Sequence, residues 1–233
     1  FQTQYRLPGE AGWRLYGGPF AVNAAGGQTV EYRSTDRALN TEPAHTLTLP
    51  LDLAPPVLDV RVSQPPATGH WYTGVLTVTA AATDTEAGLA GLEVNLDETG
   101  WQPYTAPVAL TPGTLHTLRF RATDQVGHSA LSPLLPVGLD TQPPTTTVHL
   151  SQPPSPTGWF GAPVTVTLQS TDTQTGVLRT QYRLNNAAWQ PYTQPLVINQ
   201  AGVQTLAYTA QDAALNLAAV QTLTLPLDLA APL

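Results

Sequence analysis

The chain repeats itself every 88 residues, and this period constrains the fold more than any other feature of the sequence. The pentapeptide WQPYT occurs at 101–105 and again at 189–193, and a looser copy, WRLYG, lies at 13–17. Longer strings follow the same period, since HTLTLPLDLAPP at 45–56 returns two periods later as QTLTLPLDLAAP at 221–232. A unit of this length is long enough for one small domain. The sequence therefore predicts a tandem array of similar domains.

The period divides the chain into three domains. We predict a partial repeat at 1–52, which lacks its first strands, and complete repeats at 53–140 and 141–233. The chain starts in the middle of one repeat and ends on a string that elsewhere leads into another. We therefore expect it to be a window on a longer array.

The pattern within each repeat is that of short β-strands. In the middle copy the apolar residues Leu118, Phe120 and Ala122 alternate with Arg119 and Arg121, as expected of a strand with one buried face. Turn sequences such as DETG, LTPG and DQVGH interrupt the pattern, and no window has sustained helical periodicity. About seven short strands per repeat predict an all-β fold of tandem Ig-like or fibronectin-like β-sandwiches.

The joints between repeats contain Pro-Pro, at 55–56 and 143–144, and have no Gly-Ser spacer. Proline fixes φ and favours extended polyproline geometry, so consecutive domains are predicted to be semi-rigidly oriented. This favours a rod over a flexible tether.

Composition argues against several classes of function. The nine basic residues are all Arg, against 16 acidic residues and a formal net charge of −7. Basic residues this sparse do not build a patch, which argues against nucleic acid as a partner. The absence of Cys excludes disulfides and thiolate metal sites. No apolar run approaches the roughly 18 residues of a membrane span.

Catalytic motifs are also missing from the sequence. None of the five histidines recurs at the 88-residue spacing, and no His-Glu-x-x-His, Gly-x-Ser-x-Gly or P-loop pattern occurs. We therefore predict a protein that is not an enzyme, with no catalytic and no cofactor-binding residues.

Several motifs resemble those of a known family. They are Y-R-L-x-x-x-x-W-Q-P-Y-x-x-P at 182–195, A-x-D-x-A-x-N at 210–216 and L-D-x-x-P-P at 51–56. Together they resemble the bacterial Ig-like repeats of extracellular and cell-surface proteins, and the resemblance covers the whole chain. It implies sandwiches strung head to tail as stalks or adhesin shafts outside the cell. The implied partners are neighbouring repeats and other copies in a fibre.

The chain departs from that family at one turn. The Gly that usually precedes the Asn of the second motif is Leu39 in the first repeat and Leu215 in the third. In the middle repeat Gly127 is retained but precedes His128.

Acidic residues cluster where the loops of a sandwich meet. In an Ig-like domain the B–C and F–G loops lie at the same pole, next to the incoming linker. Ca²⁺ takes about six to eight oxygen ligands, which carboxylates and loop carbonyls at each joint could supply. The alternative is that each Asp caps its own turn. The candidate Ca²⁺ ligands are Asp52, Asp84, Glu86 and Asp124 at the first joint, and Asp140, Asp172 and Asp212 at the second.

The repeated Trp and Tyr admit two interpretations. Three residues apart in an extended chain, they are expected on opposite faces of the sheet. In the structural interpretation one closes the core and the other covers a turn, because every repeat needs its own lid. In the alternative they form a glycan platform, as in an adhesin or an accessory region of a secreted hydrolase. The residues concerned are Trp13, Tyr16, Trp101, Tyr104, Trp189 and Tyr192.

Overall fold

The computed structural model describes residues 1–230, and every regular element in that range is a strand, which confirms the all-β fold class. Within these residues no helix is long and apolar enough to cross a membrane. In chain order the strands are β1 Gln2–Arg6, β2 Arg14–Leu15, β3 Gly26–Thr35, β4 His45–Leu51, β5 Val57–Val62, β6 Trp71–Tyr72, β7 Val78–Thr83, β8 Leu89–Leu96, β9 Trp101–Pro103, β10 Leu115–Asp124, β11 Ser129–Leu131, β12 Leu135–Leu139, β13 Thr145–Leu150, β14 Val164–Thr171, β15 Val177–Leu184, β16 Gln190–Pro191, β17 Leu196–Ile198, β18 Gly202–Asp212 and β19 Gln221–Leu227.

The chain divides into two compact units. The first unit comprises Phe1–Arg61, Val78–Pro107 and Leu118–Leu135, and the second comprises Val62–Thr77, Val108–Thr117 and the chain from Pro136 onward. The repeat boundaries at 1–52, 53–140 and 141–233 stay a prediction from the sequence period. The last three residues of the third repeat, 231–233, lie outside the described residues.

The first repeat forms an antiparallel sheet in the first unit, with strand order β2-β1-β3-β4. The register pairs Tyr5 with Tyr32 and Val30 with Leu47. Because side chains alternate across a strand, these four residues share one face of the sheet, and Arg33 lies on the other.

The first unit also contains part of the middle repeat. Strands β9, β8 and β10 are neighbours in one antiparallel sheet, β11 pairs with β10, and β5 pairs with β7. The inward positions predicted on β10 are fully buried at Leu118, Phe120 and Ala122. Phe120 pairs in register with Val94 of β8. The predicted alternation of this strand is therefore confirmed.

The second unit contains a complete two-sheet sandwich. One sheet has the order β13-β14-β17 and the other β16-β15-β18-β19, and together they make the seven strands predicted for a repeat. A single apolar cluster lies between the sheets, as expected of a β-sandwich. Its buried members are Phe160, Val164, Val166, Leu168, Ile198, Leu206, Tyr208, Leu225 and Leu227.

A short parallel strand pair in the second unit brings a glycine backbone close to a tryptophan ring. Strand β6 pairs with β12, with Gly138 opposite Trp71. A Cβ atom at Gly138 would lie 2.6 Å from the Trp71 ring. Only glycine therefore fits at this position without displacing the indole.

Two kinds of turn use residues other than glycine at positive φ. Leu39 and Leu215 have φ of 68° and 72°, and Gly127 at the same position of the middle repeat has 101°. The departure from the resembled family is thus accommodated by leucines in the left-handed region. The β15–β16 hairpin turns on Asn185 and Asn186, with φ of 49° and 60°, the pattern of a type I′ turn.

Candidate functional sites in the repeats

An aspartate closes the turn that follows the long central strand of each repeat. In the third repeat, Asp212 Oδ1 accepts a hydrogen bond from the Asn216 backbone N–H at 2.8 Å, and Oδ2 accepts one from Asn216 Nδ2 at 2.8 Å. In the first repeat, Asp36 and Asn40 make the same two contacts at 2.9 and 2.8 Å. This is the turn-capping role that short polar side chains favour.

A group of three carboxylates lies within the second unit. Asp140, Asp172 and Asp212 each offer an oxygen, and these oxygens all lie within 4.8 Å of one another. Asp140 and Asp212 are fully buried, and the group contains no histidine. The structure thus brings together all three carboxylates predicted as Ca²⁺ ligands at the second joint. We call this group the acidic cluster.

Loop donors hold the carboxylates of the acidic cluster. Asp140 Oδ2 accepts a hydrogen bond from Thr175 Oγ1 at 2.7 Å, and Asp172 Oδ1 accepts three backbone hydrogen bonds, from residues 174–176. Asp172 therefore caps its own turn and also faces the other two carboxylates.

The electrostatics of the acidic cluster favour a proton or a cation. Burial raises the pKa of Asp212, the hydrogen bonds from Asn216 lower it, and the charges of Asp140 and Asp172 raise it again, with a net upward shift. A hard divalent cation prefers carboxylate oxygens. The acidic cluster therefore offers carboxylate oxygens of the kind that Ca²⁺ prefers, and a Ca²⁺ site formed by Asp140, Asp172 and Asp212 stays a prediction.

The corresponding group in the first unit has a different composition. Asp52 and Asp124 lie together as predicted, but the third member is His128. The His128 Nδ1 atom is 2.9 Å from Asp124 Oδ2 and 3.8 Å from Asp52 Oδ1. We call this group the imidazole cluster. An imidazole nitrogen suits Ca²⁺ less well than an oxygen does.

The other two residues predicted at this joint are not members of the imidazole cluster. Asp84 Oδ1 accepts hydrogen bonds from the backbone N–H groups of Glu86 and Gly88, at 3.1 and 2.7 Å. Asp84 therefore caps its own turn, which is the alternative to the role of a Ca²⁺ ligand. Glu86 contributes no ligand atom to the cluster.

The pKa of Asp124 shifts in the opposite direction from that of Asp212. Burial alone would raise the pKa of the Asp124 carboxyl, but the backbone N–H groups of residues 126–128 and the His128 ring outweigh burial and lower it. Sequence reasoning missed His128 as a member of this group. The repeat pattern could have identified His128, because it occupies the repeat position at which the other two repeats have Asn40 and Asn216.

The linker aspartates contact a loop of the following repeat, which lies between β7 and β8 in the middle repeat and between β14 and β15 in the third. Asp52 Oδ2 accepts a hydrogen bond from the Ala87 backbone N–H at 3.1 Å. Asp140 makes the matching contact with Thr175, which lies 88 residues after Ala87. The Asp140 carbonyl also accepts a hydrogen bond from Asn216 Nδ2 at 3.1 Å. Each linker is therefore held to a loop of the following repeat by a hydrogen bond to its aspartate.

The repeated tryptophans lie beneath arginines. Each Trp is half-buried, and its partner projects from the face of the sheet opposite the apolar core. A guanidinium in this position is attracted to the face of the indole ring. The distances from guanidinium carbon to ring centroid are 4.1 Å for Arg33 over Trp13, 4.5 Å for Arg121 over Trp101 and 5.0 Å for Arg183 over Trp189.

The repeated tyrosines lie on the opposite, inner face. The Tyr104 hydroxyl accepts a hydrogen bond from the Ala80 backbone N–H at 3.2 Å, and the Tyr104 ring meets Phe120 edge-on at 5.4 Å. Tyr192 accepts the equivalent bond from the Leu168 N–H at 3.0 Å. In the first repeat Tyr16 is 46% exposed, and its ring meets those of Tyr5 and Phe20 edge-on.

Comparisons with known proteins give likenesses to fibronectin-type modules. No protein-family model and no curated protein matches the chain. Fibronectin(III)-like modules of Clostridium thermocellum CbhA align with 16% identity over 72% of this chain and 95% of theirs, with a TM-score of 0.38. The FN1–FN3 domains of chicken CNTN1 align with 12% identity over 97% of this chain and 91% of theirs, with a TM-score of 0.30. Neither likeness extends to function.

Proposed function

We propose that the chain is a non-catalytic structural array of an extracellular or cell-surface bacterial protein, in which linked sandwiches form a semi-rigid stalk or fibre. The observation that carries this proposal is the fixing of both linkers. Asp52 is held by Ala87, and Asp140 by Thr175 and Asn216. A linker tied by hydrogen bonds to the next domain has fewer orientations open to it than a free one.

The recurrence of the same contacts supports a structural rather than a chemical role. A Trp–Arg contact and an inward Tyr occur in every repeat, although the arginine comes from β3 and β10 in the first two repeats and from β15 in the third. A specialised reactive site would not need a copy in each domain, whereas every domain needs its own sheet contacts. The extracellular location rests on the resemblance of the repeat motifs to bacterial surface proteins.

Backbone ¹⁵N relaxation of the chain tests the stiffness that this function requires. We expect residues 78–107 of the first unit and residues 145–225 of the second unit to share one rotational correlation time, longer than that of an isolated domain. Two shorter and different correlation times would show independent tumbling and contradict a semi-rigid array. Asp140→Ala is expected to separate the two correlation times, while Asp228→Ala, at the same repeat position but exposed, leaves them equal.

One observation favours a second candidate, a glycan-binding adhesin or accessory module. The motif tryptophans lie outside the core and are half-buried, so part of each ring remains accessible. Titration of soluble glycans against intrinsic fluorescence tests it. Saturable quenching that is lost in Trp189→Leu but kept in Trp159→Leu, an exposed Trp outside the motif, would support glycan binding. Absence of quenching across plant, bacterial and animal glycans would contradict it.

A further inference from the structure

The imidazole cluster brings together three metal-binding side chains from two parts of the first unit. Asp52 follows β4 in the linker, Asp124 ends β10, and His128 lies in the turn before β11. One ligand atom of each residue lies within 4.8 Å of those of the other two. These atoms are close enough together to bind one ion.

The two carboxylates of the imidazole cluster are buried beside a single titratable base. The side chains of Asp52 and Asp124 are 3% and 0% exposed. Within residues 1–230 the ion pairs of arginine are made with other carboxylates, which leaves His128 as the cationic partner of both. Buried charge is costly unless it is compensated, and one imidazolium cannot balance two carboxylates. A divalent cation would balance both.

Backbone donors orient both carboxylates toward the imidazole. Asp124 Oδ1 accepts hydrogen bonds from the backbone N–H groups of residues 126–128, and its Oδ2 lies 2.9 Å from His128 Nδ1. Asp52 accepts one backbone N–H at each oxygen, and its Oδ1 also lies 3.8 Å from the same nitrogen, which is too far for a hydrogen bond. Outer contacts of this kind commonly hold metal ligands in place. Two ligands of a tetrahedral Zn²⁺ lie about 3.3 Å apart, a separation between these two distances.

The histidine is specific to the middle repeat. The same position holds Asn40 in the first repeat and Asn216 in the third, and each amide Nδ2 donates to the Asp four residues before it at 2.8 Å. An amide NH₂ group has no lone pair for a metal, whereas a neutral imidazole nitrogen is a common ligand. The histidine therefore keeps the contact with Asp124 and adds a donor that Zn²⁺ accepts more readily than Ca²⁺ does.

We propose that the imidazole cluster is a Zn²⁺ site in which Asp52, Asp124 and His128 supply three ligands and a water molecule supplies the fourth. His128 binds through Nδ1, so its imidazole is neutral and carries its proton on Nε2. The ion connects the linker before the middle repeat to the turn after β10. This site goes beyond the function proposed above, because zinc binding does not depend on whether the array is stiff.

Isothermal titration calorimetry on the untagged chain tests this site. The chain is freed of metal with EDTA, dialysed, and titrated with Zn²⁺ in millimolar Ca²⁺, so that Ca²⁺ occupies any site made of oxygen ligands alone. We expect one Zn²⁺ ion per chain and a melting temperature that rises with Zn²⁺ concentration, because the ion binds only the folded state. Co²⁺ in place of Zn²⁺ is expected to give the visible absorption of a four-coordinate ion.

Two matched His→Asn variants locate the ion. His128→Asn introduces the residue that the other two repeats have at this position, so the turn is expected to keep its fold. It is expected to abolish the Co²⁺ absorption and to weaken Zn²⁺ binding at least about tenfold, since even the outer contacts of a ligand are worth that much. His149→Asn changes an exposed histidine of β13 and is expected to leave both unchanged. Asp52→Asn is expected to weaken binding as His128→Asn does, since it removes the carboxylate ligand of the linker.

Either of two outcomes would overturn the proposal. The first is a folded parent chain that takes up no Zn²⁺ in calorimetry and melts at the same temperature with and without the ion. His128 would then be only an ion-pair partner of Asp124. The second is Zn²⁺ binding of equal strength in the parent and in either His128→Asn or Asp52→Asn, which would place the ion at other residues.

Discussion

The Asp140 carboxylate accepts a hydrogen bond of 2.7 Å from the Thr175 hydroxyl, which ties the linker to a loop of the third repeat. Asp140 is fully buried, and its other carboxylate oxygen accepts the Gln142 backbone N–H at 3.0 Å. Buried polar groups are stable only when their hydrogen bonds are satisfied. This pair is therefore the contact on which the proposed stiffness of the joint depends most.

Removing the Asp140 side chain should destabilise the chain. Asp140→Ala removes two hydrogen bonds to a buried carboxylate, from the Thr175 hydroxyl and the Gln142 N–H, at a cost of about 1–3 kcal/mol. Urea unfolding measures this difference. Asp228→Ala is the matched control, because Asp228 is the exposed residue at the same repeat position, and surface changes are usually within about 0.5 kcal/mol. Equal effects of the two substitutions would remove the special role of Asp140.

Calcium should stabilise the acidic cluster and not the imidazole cluster. Ca²⁺ binding to the folded state alone raises the melting temperature with increasing ion concentration. We expect Ca²⁺ to raise the melting temperature of the parent chain. We expect no such rise in Asp172→Asn, which removes one carboxylate charge. Asp84→Asn, a turn-capping residue outside both clusters, should keep it. A melting temperature that is unchanged between EDTA and millimolar Ca²⁺ would contradict the calcium hypothesis.

The two clusters should show opposite dependence of stability on pH when EDTA is present. The pKa of Asp212 is raised on folding, chiefly by burial, so its contribution to stability is present at low pH and is lost as pH rises through the folded pKa. The pKa of Asp124 is lowered, so its contribution is present at neutral pH and is lost as pH falls through the folded pKa.

Unfolding free energies between pH 2 and pH 7 distinguish these two contributions. Asp212→Asn should reduce the loss of stability with rising pH above the ordinary carboxyl range. Asp124→Asn should reduce the loss on acidification. If each variant keeps the pH slope of the parent, the two carboxyls do not titrate as their surroundings indicate.

The turn after β10 should require a residue that tolerates positive φ. Gly127 has a φ of 101°, and no heavy atom lies within 4 Å of the place that a Cβ would occupy, so its substitution meets backbone strain rather than a steric clash. Gly127→Ala should destabilise the chain by about 1 kcal/mol. Gly91→Ala is the control, because Gly91 also has open space around it but no positive φ. A loss for Gly91→Ala as large as that for Gly127→Ala would contradict this account.

Much of the fold follows from local pattern, because a strand places alternate residues on opposite faces. This is why the sequence alone assigns Phe120 to the core and Arg121 to the outer face, where both are found. The same period separates Trp189 from Tyr192 across the sheet. Pairings that depend on register between strands could not be predicted in this way. The guanidinium of Arg183 over Trp189 is an example, since it requires the geometry of the whole hairpin.

The clusters were predictable in part for the same reason. The linker and two loops that meet at one end of the sandwich bring Asp140, Asp172 and Asp212 together. The sequence pattern identified all three residues. The pattern did not distinguish Asp84, which caps its own turn, from a ligand that faces its neighbours. That distinction depends on side-chain direction, which the spacing of residues does not specify.

The distance distribution between two spin labels tests the semi-rigid array most directly. The chain has no Cys, so single cysteines introduced at the exposed positions Thr79 and Val197 would carry the only labels. Double electron–electron resonance on the parent chain and on Asp228→Ala should give one narrow distribution, and Asp140→Ala should give a broad one. A broad distribution in the parent, or a narrow one that Asp140→Ala leaves unchanged, would contradict the proposal that the linker aspartates fix the joints of this array.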